Sequence, residues 1–145
     1  MADPLAPDAS PTTNGGPHGD GTNAAARAVS LRLVQQLEQT ISRTLQPVSR
    51  VPLLLRLAEI HERRLGDPTR ALDVLLRALV IQPDERRLLR EVARLADLTG
   101  EHPRAFHALG DIVETATDPA LRVVLNLQRA ALSQTRSGRS TDTLR

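Results

Sequence analysis

Three arginines in the middle of the chain are spaced to recognise a negatively charged partner. Arg87, Arg90 and Arg94 are three and four residues apart, so on a helix they form one stripe. Arg90 and Arg94 repel each other at this spacing, and an acidic ligand would relieve the repulsion. The guanidinium group also matches a carboxylate with two parallel hydrogen bonds. The alternative is a solvated helix face whose arginines pair with nearby acids, for instance Arg94 with Asp97.

The other residue types with chemical potential do not assemble into a reactive site. His102 and His107 are five residues apart, about 140° around a helix, so they cannot share a metal ion within one helix. His107 and Asp111 can face each other, but two ligands do not make a metal site. The sequence has no cysteine, no nucleophile elbow and no glycine-rich phosphate loop. We therefore expect no enzyme, no metal and no cofactor.

Composition narrows the classes of partner. The 145 residues include 19 basic residues, all arginine, and 17 acidic residues, for a net charge of +2, which does not indicate a nucleic-acid-binding protein. Phe106 is the one aromatic residue, so stacking platforms for bases or sugars are lacking. No stretch has the length and apolarity of a membrane span or a signal peptide. These features predict a soluble, cytoplasmic protein with a protein or acidic peptide as its partner.

The sequence predicts that these residues lie on helices. Residues 1–24 are rich in Pro, Gly, Asp, Ser and Thr, which predicts a disordered tail. From residue 25 onward apolar residues recur at helical spacing, and no segment alternates with a period of two. Glycines and prolines divide this all-α region into about six helices. The predicted helices cover approximately residues 25–46, 51–65, 68–81, 84–99, 103–116 and 119–136, and residues 139–145 are predicted to be a flexible C-terminus.

A repeat links the central helices. Residues 66–83, "GDPTRALDVLLRALVIQP", and residues 100–117, "GEHPRAFHALGDIVETAT", share an initial glycine and an Arg-Ala pair at an offset of 34. Three residues of the preceding helix recur at an offset of 35: Leu54, Leu57 and Ala58 correspond to Leu89, Val92 and Ala93. The first unit therefore has one extra residue, which we place at Leu65, just before the turn. A period near 34 with two helices per unit is typical of a solenoid of stacked helical hairpins.

At these positions the chain resembles the tetratricopeptide repeat family. The family's large and small residues appear in the first unit as Leu54, Leu57, Ala58, Ala71, Leu75, Ala78 and Pro83, and in the second as Leu89, Val92, Ala93, Gly100, Ala105 and Leu109. The chain departs from the pattern at Ile112 and Thr117, and His61 stands where tyrosine is common. The resemblance covers about residues 50–117, as units 50–83 and 84–117 with a flanking helix at each end. It implies a short right-handed solenoid in which Ala71 and Ala105 are buried at close helix crossings.

The same resemblance implies a binding surface. In this family the first helix of each unit lines a concave groove that binds peptides. Carried over to this sequence, the groove residues are Glu59, Glu62 and Arg63 from the first unit and Arg87, Arg90 and Arg94 from the second. We therefore expect a non-enzymatic protein–protein interaction module or scaffold that binds a peptide or a partner helix in this groove.

Residues 92–109, "VARLADLTGEHPRAFHAL", suggest a second function, a DNA-binding helix-turn-helix regulator. In that arrangement Pro103 would fall in the first turns of the reading helix, where its ring fits poorly. The reading helix would also present Arg104 as its one basic residue, beside Glu101 and Phe106. These features make DNA the weaker alternative.

The predicted last helix, residues 119–136, carries apolar residues that face more than one direction. Leu125, Leu127 and Leu132 cannot all lie on one narrow stripe. Either polar residues make the helix a cap for the solenoid, or an apolar strip stays open to another chain or a second copy. We favour self-association or partner docking through this helix.

Overall fold

A computed structural model describes the backbone of residues 5–143 and the side chains of residues 23–135. The predicted all-α class is confirmed, and no strand occurs within the described residues. The helices are α1 (Leu5–Arg43), α2 (Pro47–Glu59), α3 (Pro68–Ile81), α4 (Arg86–Thr99), α5 (His102–Thr115) and α6 (Pro119–Thr143), and a π-helical turn (Ile60–Arg64) continues α2.

The predicted disorder of the N-terminal tail and the predicted flexibility of the C-terminal end are not tested by the described side chains. The disordered tail predicted over residues 1–24 lies outside the residues whose side chains are described, except for Asn23 and Ala24. The flexible end predicted over residues 139–145 also lies outside them.

Local signals end and begin the central helices as the sequence predicts. Gly66 and Gly100 have φ angles of 62° and 76°, in the left-handed region that side chains with a Cβ rarely adopt. Gly100 ends α4 by donating its backbone N–H to the Ala96 carbonyl oxygen at 2.9 Å. At the start of α3 the Asp67 carboxylate accepts the Arg70 backbone N–H at 3.1 Å, and Pro68 takes the first helical position.

The start of the second helix differs from the prediction. The second helix was expected from about residue 51, but α2 begins at Pro47. At the first helical position a backbone N–H has no partner within the helix, so a proline there loses no hydrogen bond. Pro47 can therefore both end the preceding helix and begin the next one. Pro52 consequently lies inside α2 on its exposed side, where it is tolerated at the loss of one backbone bond.

The π-helical turn accounts for the difference in repeat length. Leu65 donates its backbone N–H to the carbonyl oxygen of Ile60, five residues earlier, at 3.0 Å, and Asp67 donates to His61 at 2.8 Å. A π turn accommodates one additional residue without breaking the helix. The extra residue that the sequence placed at Leu65 is therefore taken up in the turn that ends at Arg64.

Aliphatic side chains from all six helices form one core. Each helix packs on its neighbours in the chain, and α3 also packs on α5 and α4 on α6. Ala71 and Ala105, which the sequence predicts to be buried, are completely shielded from solvent. A larger side chain at either position would be buried in the core.

Polar contacts also join alternate helices. Arg77 of α3 pairs with Glu38 of α1 at 2.8 Å, and Arg104 of α5 pairs with Asp73 of α3. On the other set of helices, Arg94 of α4 pairs with Glu62 of the π turn at 2.7 Å. Gln128 of α6 extends this second series, since its amide donates to the Leu89 carbonyl oxygen of α4 at 3.4 Å.

Candidate functional site

A cleft of about 220 Å³ lies between α4 and the continuous segment formed by α2 and the π turn. We call it the α2–α4 cleft. Aliphatic side chains and charged groups share its lining. The apolar residues are Leu55, Ala58, Leu75 and Leu95, and the charged residues are Glu59, Glu62, Arg63, Arg87, Glu91 and Arg94. The cleft therefore combines an apolar surface with charges of both signs.

The structure brings together five of the six residues predicted to bind a partner. Glu59, Glu62, Arg63, Arg87 and Arg94 all line the α2–α4 cleft. The sixth, Arg90, lies outside this cleft. Sequence reasoning missed Glu91, although its position four residues after Arg87 and three before Arg94 was a readable signal.

Arg90 lines a second cleft, of about 420 Å³, between α4 and α6. Its neighbours in this α4–α6 cleft are Arg86, Leu89, Val124 and Gln128. The separation from Arg87 has a geometric cause. Three residues correspond to about 300° around a helix, so the Arg87 and Arg90 side chains leave the helix in directions about 60° apart. The predicted arginine stripe is thus divided between two clefts by the ridge of α4.

Arg94 is held by two carboxylates. Its Nη1 and Nη2 atoms donate to the two oxygens of Glu62 at 2.8 and 2.7 Å. Nη2 and Nε also donate to Glu91 Oε2, at 2.7 and 3.1 Å. The hydrogen bond from Arg94 lowers the pKa of Glu62, and the bond to Glu62 raises the pKa of Arg94. Arg94 is therefore paired across the cleft, with acids other than the Asp97 that the sequence suggested.

The other charged groups of the α2–α4 cleft are held more loosely. Glu59 lies 3.6 Å from the Arg63 guanidinium and 3.5 Å from that of Arg56, and all three side chains are exposed. Exposed pairs of this kind contribute little stability, so a ligand can exchange with them at small cost. Arg87 is exposed and forms no ion pair with any residue whose side chain is described.

The α4–α6 cleft is positively charged. Arg86 and Arg90 are both exposed, and no carboxylate lines the cleft within the described part of the chain. Leu89 and Val124 supply its apolar surface. Together with Arg87, these two arginines place three positive charges near the N-terminal end of α4, where the helix dipole adds a partial positive charge.

The histidines of α5 take different positions. His102 is buried, with Nε2 2.6 Å from Asp97 Oδ1, whereas His107 is exposed and stands edge-on to Phe106. Both line a small cleft of about 190 Å³ that Ser133 also borders. Across residues 23–135, no group of three or more metal-ligating side chains is close enough to hold an ion.

The residues that would read DNA are engaged within the protein. Arg104, the basic residue expected on the reading helix, pairs with Asp73 of α3. The guanidinium carbon of Arg129 lies 4.2 Å from the centre of the Phe106 ring. Arg129 Nε also donates a hydrogen bond to the Phe106 carbonyl oxygen at 3.3 Å. These contacts attach α5 to α3 and α6.

Comparison with protein-family models, curated proteins and solved structures finds no match to this chain. Among the residues that the structure describes, no helix has both the length and the apolar character needed to cross a bilayer.

Proposed function

We propose that this chain is a non-enzymatic protein-interaction module, a short solenoid of the tetratricopeptide type that binds an acidic segment of a partner protein across α4. One observation carries the proposal. Arg87 and Arg90 lie on the two sides of the α4 ridge without carboxylate partners among the described residues, each beside an apolar surface. Arg94, by contrast, is already neutralised by Glu62 and Glu91.

The contacts between alternate helices support the solenoid arrangement. In stacked helical hairpins the first helices of successive units lie side by side, and the second helices do the same. The Glu62–Arg94 pair joins the first helices of the two repeats, and the Asp73–Arg104 pair joins their second helices. The left-handed glycines that end the first helices, Gly66 and Gly100, are also equivalent in the two units.

The charges and the apolar surfaces together define the chemistry of the ligand. Arg87 and Arg90 are three residues apart, so their Cβ atoms are about 5–6 Å apart. Each guanidinium can hold one carboxylate with two hydrogen bonds. Leu95 on one side of α4 and Val124 on the other offer contacts for apolar side chains. The preferred ligand is thus a peptide with two or more acidic residues flanked by aliphatic ones.

The DNA-binding alternative receives less support from the geometry. Arg104 is paired with Asp73, and the neighbouring positions His102, Ala105 and Leu109 of α5 are buried. A reading helix must instead present several free side chains to the major groove.

The test uses the full chain and synthetic peptides in which Asp or Glu residues alternate with leucines, labelled for fluorescence anisotropy. The Arg87→Ser/Arg90→Ser variant should lose at least tenfold in affinity while its melting temperature stays that of the parent. Arg32→Ser/Arg43→Ser removes the same charge from two exposed arginines of α1, a helix that lines neither cleft, and should bind as the parent does. Equal weakening by both double variants would reduce the effect to net charge and refute a defined site.

A further inference from the structure

An uncharged apolar strip runs along the solvent-facing side of α6. Val123, Val124 and Leu127 are 59%, 47% and 66% exposed. Exposed alanines extend the strip in both directions, at Ala120, Ala130 and Ala131. Nowhere else between residues 23 and 135 do three exposed large aliphatic residues fall within five positions.

The charges of α6 lie away from this strip. Leu121, Leu125 and Leu132 face the protein, where α6 packs on α5 and α4. At about 100° per residue, Arg122 and Arg129 lie roughly 140° and 160° from the direction of Leu127. Arg129 is also held against the Phe106 ring of α5. Leu127 therefore marks the centre of a surface about 120° wide that has no charged residue.

We propose that a second copy of this chain covers the strip, with the two α6 helices antiparallel about a two-fold axis at Leu127. In that register Val123 of each copy lies opposite Ala131 of the other, and Val124 lies opposite Ala130. Each large side chain thus meets a small one, and the Leu127 side chains meet at the axis. This self-complementarity is what an isologous interface between identical chains requires.

Charge favours a second copy over a charged partner. An acidic segment would be attracted to Arg86 and Arg90 on α4 and would gain nothing from the uncharged strip. Two copies of the strip meet without like-charge repulsion. Val124 borders both the strip and the α4–α6 cleft, but Leu127 does not line that cleft. Variants of Leu127 and variants of the arginines therefore test the two proposals separately.

The size of the strip sets the strength of the dimer. Stable specific complexes bury about 1,200–2,000 Å² in total. A single pair of helices in contact over about four turns buries less than that, so we expect a dimer that dissociates on dilution. Sedimentation equilibrium of the full chain from micromolar to millimolar concentration should show a mass rising from one chain toward two. A single-chain mass throughout that range would overturn the proposal.

Charge substitution tests the position of the axis. Leu127→Arg and Leu127→Glu should each be monomeric, because two like charges would meet, while an equimolar mixture should dimerise. Val80→Arg is the control, since Val80 is also 66% exposed but lies on α3, and this variant should associate as the parent does. Circular dichroism verifies that each variant stays folded. A mixture that remains monomeric, or a Leu127→Arg variant that still dimerises, would contradict an axis at Leu127.

Cross-linking tests the antiparallel register, and the absence of native cysteine makes it unambiguous. A disulfide needs Cα atoms within about 7 Å of each other. On mild oxidation Leu127→Cys should cross-link to itself, whereas Val123→Cys should cross-link only when mixed with Ala131→Cys. Self-cross-linking of Val123→Cys, as in a parallel pair, would overturn the register.

Discussion

Arg94 of α4 and Glu62 of the π turn are joined by two parallel hydrogen bonds of 2.8 and 2.7 Å, although they are 32 residues apart in the chain. The pair spans the α2–α4 cleft and ties together the first helices of the two repeats. The Glu62 side chain is only 20% exposed, against 46% for Arg94. Loss of the arginine would leave a largely enclosed carboxylate without its principal partner.

Arg94→Ser should therefore lower the stability of the protein, whereas Arg87→Ser should leave it unchanged. We expect a loss of about 1 kcal/mol in the free energy of unfolding, since hydrogen bonds to charged groups stabilise more than this but water screens a half-exposed pair. Urea unfolding followed by circular dichroism measures the difference. Equal stability of the two variants would mean that the Glu62 pair is not formed in solution.

Acidification should destabilise the protein through His61. This side chain is buried, and its Nδ1 has no hydrogen-bond partner within the described residues. Burial lowers the pKa of His61, and the positive charge of Arg70 lowers it further. Asp67 and Glu38 raise this pKa by a smaller amount, so the net shift is downward. Below the ordinary value of 6.5, the unfolded chain takes up the proton before the folded chain does. Stability is therefore complete above pH 6.5 and falls as the pH decreases toward the lowered folded pKa.

Substitution isolates this contribution. His61→Leu should lose less stability than the parent between about pH 7 and about pH 5, because it removes the buried titrating group. His107→Leu, at an exposed position of α5, is the matched control and should follow the parent. Thermal unfolding of the three proteins across this pH range is the measurement, and parallel curves for all three would exclude His61 as the cause.

Ala105→Leu should overpack the contact of α5 with its neighbours. Ala105 is completely buried, and adding three carbon atoms to a packed site typically costs about 1–3 kcal/mol. Ala26→Leu introduces the same change at an exposed position of α1 and should leave the unfolding midpoint near that of the parent. A midpoint for Ala105→Leu equal to that of the control would show that the helices separate there more easily than the structure indicates.

Deletion of Arg64 should be tolerated, because the π turn gives the first repeat one residue more than the second repeat has. Removing it lets Ile60–Arg64 return to ordinary α-helical spacing with the adjoining helix faces unchanged. Leu98 is the exposed next-to-last residue of α4, and its deletion shortens a helix that has no additional residue. We expect cooperative unfolding with a midpoint near the parent for the first deletion and a clearly lower midpoint for the second.

Part of the candidate site could be predicted from the sequence. The resemblance to helical repeats selected Glu59, Glu62, Arg63, Arg87 and Arg94, which do line one cleft. The roles of these residues could not be predicted, because their spacing does not distinguish a paired arginine from an unpaired one. In the structure Arg94 is neutralised and Arg87 is not, a difference that depends on which side chains of a distant helix lie within about 3 Å.

Sequence alone determined the features that depend on a few neighbouring residues: the all-α class, the stops at Gly66 and Gly100, and the Asp67 cap of α3. These follow from backbone sterics and short-range hydrogen bonds, which a local pattern encodes. Tertiary structure alone decided that Arg90 faces the α4–α6 cleft and that Arg94 meets Glu62. Those outcomes depend on how each helix is rotated and placed against the next, which packing of the whole core sets and no short segment contains.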